Sequence, residues 1–159
     1  MRSQTSKTLL LAVCYHVVTP AYPTAASHIE SRAGAPPILP IPPTCTITNP
    51  LPTSSSAAYM PAPSSRDALL YSAYYPSFSK NKTAMAEQCL QQCYGYGHHV
   101  ECKTAFWAEN VLVPAEYYGE PGGQLSTGCL FFNKTLVSSD FEIAPPKQAT
   151  DGFAGNIAC

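Results

Sequence analysis

The stretch QCLQQCYGYGHHVECKTAFWAEN, residues 88–110, decides the fold class of this 159-residue chain. Around its start, apolar residues and cysteines recur at positions i, i+3, i+4 and i+7, namely Ala86, Cys89, Leu90 and Cys93. That spacing puts the four side chains on one face of an α-helix, which we predict over residues 84–93. Both cysteines of this helix therefore point in the same direction, toward a sheet.

The residues at the two ends of this segment also fit a helix. The Thr83 hydroxyl is predicted to cap its first turn, and Glu87 is expected in that turn, where the helix dipole favours a negative charge. Gly95 is expected to end the helix.

Five short segments predict β-strands, at residues 45–48, 68–75, 102–108, 128–133 and 156–159. Between the first two, residues 51–65 are mostly Ser, Pro and Ala, and they predict a long exposed loop suited to O-linked sugars. One helix among strands that pair antiparallel indicates an α+β domain.

The first 26 residues have the pattern of a secretory signal peptide. Arg2 and Lys7 precede an apolar run of eleven residues, and small residues up to Ala26 fit a cleavage site. The run is too short to cross a bilayer, which takes about 20 residues, so we predict secretion without a membrane span. Residues 27–44 hold closely spaced prolines and predict a disordered Pro-rich arm, and residues 45–159 predict one folded domain.

Loss of the signal peptide removes Cys14 and leaves six cysteines. An even set in an oxidising compartment predicts disulfide bonds, although six cysteines allow 15 pairings. Two Asn-x-Thr sequons, at Asn81 and Asn133, are predicted glycosylation sites in the same compartment.

Residues 88–110, followed by TGCLFF at 127–132 and a terminal Cys159, resemble the PAN/Apple domain. The motifs YGYG and AGNI and the Tyr-Tyr-Gly loop are similar to those of short secreted PAN-like proteins of filamentous fungi. The resemblance implies a single helix packed on a curved antiparallel sheet. It also implies three disulfide bonds, Cys89–Cys129, Cys93–Cys102 and Cys45–Cys159.

Charge and spacing argue against several kinds of partner. Without the signal peptide, seven basic residues face ten acidic ones, a net charge of about −3, so we predict no nucleic-acid partner. Four possible zinc ligands lie close together in sequence: Cys93, His98, His99 and Cys102. Their spacing is not that of a usual zinc site, and secreted thiols oxidise first, so we predict no metal and no other cofactor.

Catalytic motifs are incomplete. Ser126 lacks the first glycine of a Gly-x-Ser-x-Gly elbow, and pairing of six cysteines leaves no nucleophilic thiol. The carboxylates of the second half are predicted to be solvated surface charges, namely Glu109, Glu116, Glu120, Asp140 and Glu142. We therefore expect a protein that is not an enzyme.

Aromatic residues near turns are the candidates for ligand contact: Tyr94, Tyr96, Trp107, Tyr117 and Tyr118. Flat rings with a polar tip suit sugar rings and peptide anchors. Tyr117 and Tyr118 lie in the Pro- and Gly-containing segment 114–123 and are expected to be exposed. For Trp107, burial in the core is the favoured alternative, because it lies within a predicted strand.

Two functions follow from these observations. The first, implied by the PAN/Apple resemblance, is a secreted non-catalytic module, monomeric, that recognises extracellular carbohydrate or protein. The alternative is a structural or host-directed cysteine-rich protein without a soluble ligand, in which disulfides provide resistance to proteases. The sequence alone leaves both open.

Overall fold

A computed structural model of the chain describes residues 36–53 and 57–159. The predicted signal peptide and residues 27–35 of the predicted arm lie outside the described residues. The main sheet has five antiparallel strands in the order β1-β7-β4-β5-β3, which span Thr46–Thr48 (β1), Thr150–Ala158 (β7), Thr104–Leu112 (β4), Leu125–Phe132 (β5) and Leu69–Tyr75 (β3). Together with one α-helix in this part of the chain, the sheet confirms the predicted α+β class.

The α-helix, α1, spans Lys82–Gly95 and is longer than the predicted 84–93. The Asn81 side chain caps it by accepting a hydrogen bond from Ala84 N at 3.1 Å, so the predicted Thr83 cap is wrong. Because the helix starts two residues earlier, Glu87 lies beyond its first turn, contrary to the prediction. Gly95 is the last helical residue, as expected.

The two central strands, β4 and β5, are buried on both faces. Ala105 and Trp107 point toward the helix, and Phe106 and Ala108 point away from it, as the alternation of a strand requires. The helix packs on the sheet with the face that the sequence predicts, since its buried residues include Ala86, Cys89, Leu90 and Cys93. The run AFWA of β4, residues 105–108, is therefore apolar without interruption, since neither face meets water.

A second, two-stranded sheet covers the face of the main sheet that lies away from α1. Its strands β2 (Tyr59–Pro61) and β6 (Phe141–Ile143) pair antiparallel. The prediction of an exposed loop over 51–65 is wrong for the described part that follows residue 56, because Tyr59 and Met60 are half-buried against the core. A short 3₁₀ helix, Pro63–Ala68, then leads into β3.

Three disulfides join Cys89 to Cys129, Cys93 to Cys102 and Cys45 to Cys159, the pairs that the PAN/Apple resemblance implies. The first ties α1 to the central strand β5. The second ties the end of α1 to the residues just before β4. The third joins the residues next to β1 and β7 and so closes the ends of the domain.

The last part of the predicted arm, residues 36–44, lies against α1. Leu39 N donates a long hydrogen bond of 3.4 Å to Gln91 O, and Ile41 packs on the helix-side core. A Cβ atom on Gly95 would come within 2.3 Å of Pro37 O, so the close approach of the arm requires glycine there. Residues 36–44 therefore pack with the domain, which starts before the predicted residue 45.

A buried polar group fixes the sheet face that lies away from α1. The Thr104 hydroxyl contacts Lys134 O at 2.9 Å and accepts a hydrogen bond from Leu136 N at 3.0 Å. Asn156 donates to Leu136 O at 2.9 Å, and its side-chain oxygen contacts the Thr104 hydroxyl. These bonds hold the segment after β5 against β4 and β7. No helix in the described residues is long and apolar enough to cross a membrane.

Candidate functional site

The edge strand β3, with the sequence LLYSAYY, places tyrosines on both of its faces. Tyr71 and Tyr75 are four residues apart, so the alternation of side chains along a strand puts them on the same face. Both lie on the helix side, whereas Tyr74 lies on the other side. The Tyr71 ring stacks on Phe131 of the neighbouring strand, with centroids 5.0 Å apart. This stacking fixes the Tyr71 ring at the sheet edge.

The turn after α1 brings Tyr96 to the same place. This turn lies within the loop that the Cys93–Cys102 bridge closes. The Tyr96 ring is 6.1 Å from that of Tyr71 and meets Phe131 edge to face at 5.9 Å. Tyr96 is therefore a half-buried neighbour of β3.

The hairpin loop 114–123, which joins β4 to β5, also reaches β3, at backbone groups of that strand. Two backbone hydrogen bonds of 2.9 Å close the base of this loop: Val113 N donates to Gln124 O, and Gly123 N donates to Val113 O. The Tyr117 hydroxyl accepts a hydrogen bond from Tyr74 N at 3.2 Å and lies 3.4 Å from Ser72 O. These are backbone groups on the free edge of β3, so Tyr117 anchors the loop to an edge that would otherwise be open to another strand.

Tyr118 is held outward by this anchoring. Its side chain is 85 % exposed, and its ring meets the Tyr117 ring edge to face at 4.6 Å. Its backbone is left-handed, with φ 52°, which is uncommon for a residue other than glycine. The prediction that the 117–118 pair is exposed is correct for Tyr118, whereas Tyr117 is half-buried.

The two loops thus converge on one surface, which we call the tyrosine patch: Tyr71, Tyr75, Tyr96, Tyr117 and Tyr118. Burial raises the pKa of Tyr71, and the nearby phenol groups of the other four raise it further. Burial also raises the pKa of Tyr75, against a smaller lowering by the Trp107 indole. The hydroxyl groups of Tyr71 and Tyr75 therefore keep their protons at physiological pH and can both donate and accept hydrogen bonds.

Two of the predicted contact residues lie outside this patch. Trp107 is only 1 % exposed beneath α1, so its proposal as a contact residue is wrong and the core alternative is correct. Its indole Nε1 lies near enough to the Tyr75 hydroxyl to lower the pKa of that group, but it forms no hydrogen bond of ordinary geometry with any of the described residues. Tyr94 stacks on His99 at 4.7 Å, and its carbonyl oxygen lies 2.9 Å from His99 Nδ1. The contacts of the Tyr94 ring and of its carbonyl oxygen are therefore with His99, within the turn itself.

A zinc site formed by Cys93, His98, His99 and Cys102 is excluded, because the two cysteines form a disulfide bond with each other and provide no thiolate ligand. Within residues 36–53 and 57–159, His, Cys, Asp and Glu side chains form no group of three or more that is suited to a metal ion.

Several acidic residues are paired with lysines at the surface. Lys82 Nζ lies 2.9 Å from Glu109 and 2.6 Å from Asp151, and hydrogen bonds to both carboxylates raise its pKa. Lys134 lies 2.8 Å from Asp140 and lowers the pKa of that carboxyl, as does the backbone N–H of Val137. Two lysines thus pair with three of the acids, so these contacts leave one net negative charge.

Both sequons are accessible. The side chains of Asn81 and Asn133 are exposed. The Asn81 oxygen caps α1, and its side-chain nitrogen is the atom to which a glycan would attach. Glycosylation at Asn81 is therefore compatible with the cap.

No protein-family model, curated protein or solved structure matches this chain. The assignment to the PAN/Apple family therefore stays a proposal.

The sequence candidates omitted Tyr71 and Tyr75, which join the two loops. Both lie in the predicted strand 68–75, and the period of two in LLYSAYY already puts them on one face. What the sequence lacks is the information that this strand is an edge strand between the two loops.

Proposed function

We propose that this chain is a secreted, non-catalytic binding module of the PAN/Apple type, and that the tyrosine patch is its contact surface for extracellular carbohydrate or protein. The observation that carries the proposal is the convergence of two distant loops on Tyr71 at the sheet edge. Tyr96 approaches from one side, and the Tyr117–Tyr118 pair from the other.

Tyrosine is well suited to such a surface. Its ring offers a large flat contact area at a small entropic cost, and its hydroxyl forms hydrogen bonds with sugars and peptides. Phe78, which is 65 % exposed and 5.7 Å from the Tyr75 ring, extends the apolar area. A cluster of partly exposed aromatic rings on a protein surface is typical of a binding site.

The patch is also held rigidly before any ligand binds. The Cys93–Cys102 bridge restrains the turn that carries Tyr96, and the Tyr117 hydroxyl ties the second loop to β3. A surface that is already ordered loses less conformational entropy on binding. These restraints support recognition more than a passive structural role.

The proposed compartment agrees with the covalent features. Three disulfides persist in an oxidising environment, and both sequons have exposed side chains. The combination of one helix, an antiparallel sheet and this disulfide pairing supports the PAN/Apple proposal.

A binding screen followed by one matched pair of variants tests the proposal. The full chain, expressed through a secretory pathway, is screened against glycans and extracellular proteins. For each ligand found, Tyr118→Ala is expected to weaken binding about tenfold or more, because it removes the most exposed ring of the patch. Its exposure means that folding stability should be unchanged.

Ile143→Ala is the control, because Ile143 is 68 % exposed and lies on β6, outside the patch. It is expected to bind as the wild type does. Equal binding by Tyr118→Ala and the wild type would refute the patch as the contact surface. The absence of any ligand in the screen would instead favour the structural or host-directed alternative.

A further inference from the structure

A cavity of about 490 Å³ opens on the face of the main sheet that lies away from α1. Its floor is formed by three buried residues of the central strands, Phe106, Leu130 and Phe132. Ligand pockets in proteins commonly range from about 300 to 1,000 Å³ and are mostly apolar. The cavity therefore has the size and the floor of a small-molecule site.

Part of the wall of this cavity comes from elements outside the main sheet. Met60 and Pro61 of β2 form one part of the lining, and Pro145, which follows β6, forms another. Tyr74 of β3 also lines it. The cavity thus lies between the main sheet and the segments packed upon it.

A cation and a hydroxyl group stand out in this apolar lining. Arg66 lines the cavity, and its side chain forms no ion pair and no hydrogen bond with any residue of 36–53 or 57–159. A guanidinium group readily binds a carboxylate through two parallel hydrogen bonds. Arg66 lies near enough to the Tyr74 hydroxyl to lower the pKa of that group. Burial outweighs this effect and raises the pKa of Tyr74, so the phenol keeps its proton and can donate it.

Three further polar residues line the cavity, and one of them, Ser65, donates its hydroxyl hydrogen to Asp140 O at 3.1 Å. Gln148 lies between Lys147 and Ala149, whose backbones are both left-handed, with φ 67° and 48°. Such conformations are costly for residues other than glycine, so the surrounding structure must hold this turn in place. Glu142 is the acidic residue of the lining and disfavours a ligand that carries more than one negative charge.

We propose that this cavity binds a small amphipathic monocarboxylate from solution, with the apolar body of the ligand on Phe106, Leu130 and Phe132 and its carboxylate bound by Arg66 and the Tyr74 hydroxyl. The argument rests on the unpaired guanidinium at an apolar cavity of ligand size. It is independent of the proposed function, because Tyr118 does not line the cavity. Binding at the two sites can therefore succeed or fail separately.

Titration with decanoate, and with decanol as its uncharged counterpart, tests this assignment. Calorimetry measures affinity, and methyl NMR locates the site. Decanoate is expected to shift the methyl signals of Met60, Val111 and Leu130, which line the cavity, and not those of Met85 and Leu90 on the buried face of α1. Decanol is expected to shift the same signals with lower affinity, because it lacks the charge that Arg66 binds.

Three charge variants sharpen the test. Arg66→Gln is expected to weaken decanoate binding about tenfold while leaving decanol unchanged. Glu142→Gln is expected to strengthen decanoate binding, since it removes a repulsive charge. Lys80→Gln removes an exposed lysine that does not line the cavity, and it is the matched control with no expected effect.

Arg66 and Glu142 are both exposed, so neither substitution should impair folding. The assignment is overturned if decanoate fails to bind, if Arg66→Gln binds it as the wild type does, or if the shifted methyl signals lie outside the cavity. Binding to anionic vesicles that Arg66→Gln abolishes, without binding of free decanoate, would assign the arginine to a membrane surface and would also overturn it.

Discussion

The two faces of the main sheet are held in different ways. On the helix side, Cys89–Cys129 and Cys93–Cys102 tie α1 covalently to the sheet, and the core between them is closely packed. On the other face none of the three disulfides contributes, and hydrogen bonds join the covering segments to one another. Ala62 N, for example, donates to Asp140 O at 2.8 Å. The comparison teaches that disulfide bonds attach the covering helix to one face, whereas hydrogen bonds and apolar packing alone hold the covering segments on the other.

On the helix side, the largest expected effect comes from removing the bridge at the centre of the core. The variant Cys89→Ala with Cys129→Ala loses a crosslink between residues 40 apart, and chain entropy predicts a loss of about 4 kcal/mol in the free energy of unfolding. Urea unfolding, monitored by circular dichroism, measures the loss.

The matched variant Cys93→Ala with Cys102→Ala opens a bridge between residues only nine apart. Its expected loss is smaller, about 2.5 kcal/mol, because a shorter loop restricts the unfolded chain less. A larger loss for the short bridge than for the long one would contradict the view that the central crosslink dominates this face.

The second prediction concerns the face without disulfides. Thr104→Val keeps the shape of the side chain but leaves Leu136 N and the side-chain oxygen of Asn156 without the buried hydroxyl that they contact. We expect a loss of about 2 kcal/mol in the free energy of unfolding, as is usual for buried polar groups left unsatisfied. Thr104→Ser retains the hydroxyl and is expected to lose less. A loss for serine as large as that for valine would show that packing, not hydrogen bonding, holds this segment.

The smallest effect is expected at Asp140, whose side chain contacts Lys134 and the backbone N–H of Val137. These contacts lower the pKa of Asp140 in the folded protein. Their stabilisation is therefore complete above the unfolded pKa of about 4 and is lost as the pH falls through the lower folded value. Asp140→Asn should cost less than about 1 kcal/mol at pH 7, since the pair is partly exposed.

The difference in stability between the wild type and Asp140→Asn should shrink as the pH falls below about 4. Asp67→Asn, which removes an exposed carboxylate without an ion pair in the described part of the chain, is the control and should show no such difference. A gap that stays constant down to pH 2 would contradict the role of the Asp140 charge.

The sequence predicts the helix-side face well because its signals are local. The helical spacing of Ala86, Cys89, Leu90 and Cys93 is visible within two turns, and the apolar runs of β4 and β5 are continuous. The predicted Thr83 cap is wrong because Asn81, two positions earlier, is also a good cap. Such a choice depends on the backbone geometry of the first turn.

The other face is poorly predicted because its contacts join residues far apart in sequence. Strand β2 has three residues and includes a proline, and it pairs with β6 about 80 positions later, at Tyr59–Ile143 and Met60–Glu142. No local period marks strands this short. The tyrosine patch has the same origin, since Tyr71 joins two loops only through the sheet order.

Amide hydrogen exchange on the oxidised full chain, with and without a ligand from the binding screen, tests the central claim most directly. The account predicts that the ligand slows exchange in β3 and in the loops 94–100 and 114–123, which carry the tyrosine patch. It predicts no change in α1 over residues 82–91 or in the strand pair β2 and β6. Slower exchange confined to α1 or to the β2–β6 pair would contradict the placement of the contact surface at the edge of β3.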